Sequence, residues 1–74
     1  MRKETSADIV REVIEESGIP RTLIAEDAHL SRATIITWLS GTRVPQPESI
    51  AQLADGLERR ANLLLALVAK LRKL

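Results

Sequence analysis

Residues 20–45, PRTLIAEDAHLSRATIITWLSGTRVP, decide how this chain folds. Two short apolar-periodic segments meet here at His29-Leu30, and the second runs into Gly41. Ile24, Ala25, Ala28 and Leu30 lie on one side of the junction, Ile35 and Trp38 on the other. Their three- and four-residue spacing turns one face of each helix toward a shared core. Ala25 is small enough to let two helices cross closely. Ser31 stands where an N-cap belongs, its hydroxyl able to accept from an otherwise unpaired backbone N–H. One residue of the His29-Leu30 corner must adopt positive φ, and histidine is among the non-glycine types enriched there. Behind Ser31, the side chains of Arg32, Ala33, Ile36 and Thr37 fall off the face set by Ile35 and Trp38.

The flanking segments read as helices too. Residues 5–17 open with Thr5 and Asp8 in capping-box spacing and stop at Gly18. Ile9, Val10, Val13 and Ile14 make an apolar stripe, Asp8, Glu12, Glu15 and Glu16 face water, and Arg11 can pair with Glu15. Pro20 suits the first turn of the second helix, which ends near Ala28, and residues 31–40 form the third. After the loop at residues 42–47, Pro47 and Glu48 fit the first turn of a fourth helix, with Ile50, Leu53, Ala54 and Leu57 as its buried stripe.

From residue 58 to 74 the pattern changes. At about 100° per residue, Ala61, Leu63, Leu64, Leu65, Leu67, Val68, Leu71 and Leu74 cover roughly 200° of the helix surface. Covering one small core needs about half of that arc, so the remainder requires a further partner. Leu57, Ala61, Leu64, Val68 and Leu71 also alternate by four and three, a short seam of the kind that joins two helices. Gly56 either kinks the junction between a fourth and a fifth helix or lies within one continuous helix.

Composition sets the outer limits. Seventy-four residues, 45% hydrophobic and without cysteine, make one domain over residues 1–74 whose stability rests on helix packing or on a second subunit. The lack of cysteine fits a reducing cytoplasm. Residues 1–8 are too polar for a signal peptide, and the apolar run at residues 63–69 falls far short of the roughly 20 residues a membrane span needs. At this length an effector-sensing domain is not expected. No nucleophile has a base partner, no carboxylates pair in a pocket-forming context, and no glycine-rich phosphate loop is present, so the chain is not expected to be an enzyme. A single histidine offers no metal cluster, and no cofactor is implied. The net charge is only +1, but the acids sort to the first and second helices while Arg21, Arg32 and Arg43 are expected to converge around the third.

Residues 21–38 resemble the helix-turn-helix of the lambda repressor/Cro (Xre-type) family. Ala25 matches the small residue of that motif's first helix, Ser31 the cap of its recognition helix, and Ile35 with Trp38 its buried pair. Gly41-Thr42-Arg43-Val44-Pro45 resembles the loop that follows, and residues 48–57 the fourth helix; His29 stands where the family has its corner glycine. The resemblance spans residues 9–57 and implies a compact all-α domain of five helices that binds a double-stranded DNA operator as a homodimer, in the cytoplasm of a bacterial or phage-infected cell. It places helix 31–40 in the major groove, with Arg32, Ala33, Ile36 and Thr37 reading bases. Arg21, Ser31, Thr34, Thr42 and Arg43 would hold the DNA backbone. Leu63, Leu64, Leu67, Val68, Leu71 and Leu74 are the expected dimer surface. The competing expectation is an antitoxin-type regulator that grips a protein partner through the same leucines.

Overall fold

The computed structural model describes residues 4–74, and among these the chain forms four α-helices: α1 Ser6–Ser17, α2 Arg21–Ala28, α3 Arg32–Ser40 and α4 Pro47–Arg72. Local chemistry sets most of the boundaries. Thr5 caps α1 by accepting from the Asp8 N–H, while the Asp8 carboxylate accepts from the Thr5 N–H, each at 3.2 Å. Gly18 and Gly41, at φ 67° and 80°, end α1 and α3. His29 ends α2 at φ 57°, ψ 39°, with its own N–H on the Glu26 carbonyl and that of Leu30 on the Ala25 carbonyl, the paired bonds of a Schellman turn. Pro20 lies just outside α2 as its N-cap, not inside the first turn, whereas Pro47 does open α4.

The core contains Val10 and Ile14 of α1, Ile24, Ala25 and Ala28 of α2, Ile35 and Trp38 of α3 and Leu53 of α4. Ile19, Leu30, Leu39, Ile50 and Leu57 pack partly buried around it. α4 packs chiefly on α2, and α3 joins α2 to α1. Ile24 and Ile35 are the largest side chains fully sealed from water.

Four expectations need correcting. There are four helices and not five, because residues 47–72 run on as one helix. Gly56 is therefore no hinge. It is the point where α4 touches the backbone of α2: a Cβ built there would lie 2.7 Å from the Asp27 carbonyl carbon and 2.8 Å from the Ala28 nitrogen. Ala54 is exposed and Gly56 takes its place on the buried line, since only a residue without a side chain fits the crossing. Ile9, likewise given to the buried stripe of α1, is 47% exposed, because α1 meets the rest of the domain through Val10 and Ile14 on a narrower face. Finally, Arg11 pairs with Asp8 at 3.7 Å instead of Glu15. Its guanidinium lies against Gly41, where a Cβ would meet Nη2 at 3.6 Å, so the cation sits at the C-terminal end of α3.

A polar clamp fixes the exit of α4. The Arg60 guanidinium donates to both oxygens of Asp27, through Nε to Oδ2 and through Nη2 to Oδ1 at 3.2 Å, and Arg59 donates to the Asp27 backbone carbonyl. The hydrogen bond from Arg60 holds the Asp27 carboxyl below the usual aspartate range despite partial burial. A carboxylate stabilised in this way adds to folding stability above the unfolded-chain pKa of about 3.9, and the gain vanishes as pH falls through the lower folded value. Asp27→Asn is thus expected to melt below the native chain near neutral pH. The two curves should close on each other as pH falls through the lowered folded-state pKa of Asp27; a gap independent of pH would show that the charge is irrelevant.

Beyond the clamp, nothing among the described residues buries α4. Every residue from Ala61 onward is exposed, including Leu64 at 53%, Leu67 at 45% and Leu71 at 69%. These leucines take no part in the core of their own subunit.

Candidate nucleic-acid interface

Among the described residues, none seals the outer face of α3 from solvent. With Ile35 and Trp38 turned inward, Arg32, Ala33 and Ile36 are exposed and Thr37 is half-buried. Ile36, a large apolar side chain, is 46% exposed and makes no part of the core.

The hydroxyls beside this face are already committed in part. Ser31 caps α3 by accepting from the Thr34 N–H at 3.0 Å, and its Oγ lies 2.8 Å from Thr34 Oγ1. These two hydroxyls own two protons between them. One bridges the pair, which leaves one able to donate outward. Thr37 donates its proton to the Thr34 carbonyl at 2.7 Å, so it presents a methyl group and an oxygen lone pair rather than a donor.

The Thr37 carbonyl in turn organises the following loop. It accepts from the Thr42 N–H at 3.1 Å, from the Arg43 N–H at 3.4 Å, and from the Ser40 and Thr42 hydroxyls at 3.2 and 3.3 Å. Gly41 makes this possible: its left-handed conformation turns the chain back over the end of the helix. The loop bearing Thr42 and Arg43 is therefore tied to the exposed helix at one backbone oxygen.

The basic residues fall into two clefts, not the single patch expected for Arg21, Arg32 and Arg43. The first, of about 540 Å³, is open to solvent and brings Arg21 and Arg32 together with Thr22, Pro20 and Glu15. The second, of about 450 Å³, brings Arg43 together with Thr34, Gln46 and Ser49 over the edge of Trp38. The separation follows from the lengths of α2 and α3. Arg21 and Arg32 are the first residues of their helices, while Arg43 lies beyond the far end of α3. Glu15 brings a carboxylate to the first cleft, so the acids of the first helix are not sorted wholly away from the arginines. Thr22 and Gln46 are polar residues that sequence reasoning passed over; each is one of many surface polars, and only the fold places it beside an arginine.

Trp38 is 4% exposed and belongs to the core, so it offers no open face on which a base could stack. Among the described residues no group of histidine, cysteine or carboxylate side chains could hold a metal ion. Among the same residues no helix is long and apolar enough to cross a membrane.

Comparison with known proteins gives one match. A family model described as "Helix-turn-helix" aligns with residues 10–64, which is most of the chain and takes in all of α1, α2 and α3 except the first turn of α1. Searches of curated proteins and of solved structures found no match.

Proposed function

Since the chain belongs to the helix-turn-helix family of lambda repressor/Cro (Xre) type, a family of DNA-binding transcription regulators, we propose that it binds a specific double-stranded operator as a homodimer and represses transcription in the cytoplasm of a bacterial or phage-infected cell. The observation that carries this reading is the unpacked outer face of α3, where Arg32, Ala33 and Ile36 are left in solvent while the opposite side of the same helix is sealed. In a major groove, Arg32 would donate two hydrogen bonds to guanine O6 and N7. Ala33 and Ile36 would meet thymine methyl groups, and Thr37, with its proton held by Thr34, would accept from an adenine or cytosine amino group. Arg21, Ser31, Thr34, Thr42 and Arg43 would hold the flanking phosphates, with the first-turn N–H groups of α2 adding to the attraction near Arg21.

Selection of bound duplexes from a random pool, followed by retardation assays, tests this. Arg32→Ala should weaken the selected site by about 1–3 kcal/mol, roughly 5- to 150-fold, and relax preference at one base pair per half-site. Arg43→Ala should weaken all sequences alike and reduce the slope of log K against log salt by about 0.9 for each phosphate no longer neutralised. If both variants bound every duplex as the native chain does, the interface would lie elsewhere.

The exposed leucines of α4 favour a second reading, an antitoxin-type regulator that holds another protein. Stable association with such a partner, lost in Leu67→Asp but retained in Arg32→Ala, would support it.

A further inference from the structure

The apolar face at the end of α4 is the same face that packs on α2 nearer the domain. Taking Leu53 as zero and about 100° per residue, Gly56, Leu57 and Arg60 lie within roughly 60° of it. Leu64, Leu67 and Leu71 fall within roughly 40°, and Leu63, Val68 and Leu74 within roughly 80°. Inside the domain this line is covered by α2, and the Asp27–Arg60 clamp closes that contact. Past Arg60 it continues uncovered to Leu74, with Leu63, Leu64 and Leu71 all more than half exposed. We infer that a second copy of this chain covers it in antiparallel orientation, with the two α4 tails crossing between Leu67 and Val68 so that Leu64 of each faces Leu71 of the other. This rests on the homodimer proposed above and specifies its geometry.

Two observations favour antiparallel over parallel pairing. The first is charge. Beyond Leu57 the chain carries one acid, Glu58, against Arg59, Arg60, Lys70, Arg72 and Lys73. Parallel tails would set Lys70, Arg72 and Lys73 of both copies side by side at one end. Antiparallel tails place the two cationic ends apart and bring Arg72 and Lys73 of each copy alongside Asn62 and toward Glu58 of its mate. Of the two arginines near that end, Arg60 is paired with the Asp27 carboxylate and Arg59 is held on the Asp27 backbone carbonyl.

The second is distance. Gly56 marks where α4 lies on its domain, about 11.5 residues from the proposed crossing point. At about 1.5 Å per residue, antiparallel pairing sets the two Gly56 positions roughly 35 Å apart along the axis. Successive major-groove half-sites on one face of a duplex are about 34–36 Å apart. Parallel pairing would hold the same points at the helix-to-helix spacing of about 8–10 Å, with the domains crowded together.

The native chain lacks cysteine, which makes the test clean. Leu64→Cys and Leu71→Cys are solvent-facing changes and leave the core untouched. Equimolar copies of the two variants, mixed, equilibrated and mildly oxidised, should yield the 64–71 cross-link at least tenfold over either like-with-like product, since like positions lie roughly 10 Å apart along the axis, beyond disulfide reach. A predominance of 64–64 and 71–71 products would overturn the antiparallel arrangement. Spin labels on Asp55→Cys, which faces away from the seam, give a second readout: roughly 40 Å or more between labels supports the inference, and roughly 20 Å contradicts it. Sedimentation equilibrium of the native chain separates the two levels. A monomer at all concentrations would sink the homodimer itself. A dimer unaffected by Leu67→Asp would place the interface elsewhere and overturn this inference alone.

Discussion

Replacing Trp38 with alanine is expected to abolish cooperative folding near physiological temperature, with a loss of about 3–5 kcal/mol. Natural domains hold roughly 0.05–0.15 kcal/mol per residue, so a chain of 74 residues has roughly 4–11 kcal/mol in all. Trp38 is the single aromatic residue, 4% exposed, and it packs with Ile35, Leu53 and the α2 core residues while closing the floor of the cleft beside Arg43. Far-UV circular dichroism during thermal and urea unfolding reads the effect directly. A variant that melts like the native chain and has lost only DNA affinity would mean that the indole serves binding and not packing.

Gly56→Ala should also destabilise, and its sign is the informative part. In an ordinary helix interior this change gains about 1 kcal/mol, because alanine restricts the unfolded chain and favours the helix. Here the added methyl would stand 2.7–2.8 Å from the backbone of Asp27 and Ala28, against about 3.5–4.0 Å for comfortable contact. Backbone has no rotamer with which to yield, so α4 must lift from α2. The lift strains the bonds from Arg59 and Arg60 to Asp27 and the 3.4 Å bond from Gln52 to the Ala28 carbonyl. Overpacking of this kind costs about 3 kcal/mol at the upper end, leaving a net loss of about 2 kcal/mol. Urea titration of Gly56→Ala against Asp55→Ala, its exposed neighbour, checks it. A more stable Gly56→Ala would show that the two backbones do not touch.

Much of this architecture was legible in the residues, for local reasons. The Thr5–Asp8 box, the Ser31 cap, Pro47 at the start of α4 and the positive φ of His29 each depend on contacts within five residues. The inward set Ile24, Ala25, Ile35 and Trp38 follows from helical periodicity alone. Periodicity failed where a helix buries a narrow face, as at Ile9, or where crossing distance overrides side-chain type, as at Ala54 and Gly56. The clamp between Asp27 and Arg60 was equally out of reach, because it joins residues 33 apart and each looks like an ordinary surface charge in sequence.

The chain's own order of residues determined its class: helical, capped at defined points, with a turn that sets one helix across another and leaves a face of the second unclaimed. Those are consequences of short-range hydrogen bonding and of a 3.6-residue repeat, which any stretch of chain carries with it. Only the tertiary structure decided that Gly56 lies in one unbroken α4, that Arg21 and Arg32 share a cleft from which Arg43 is separate, and that the leucines past Arg60 stay exposed outside the core. Each of these depends on how closely two helices approach and how far one extends past the other, distances that are fixed when the core packs and not before.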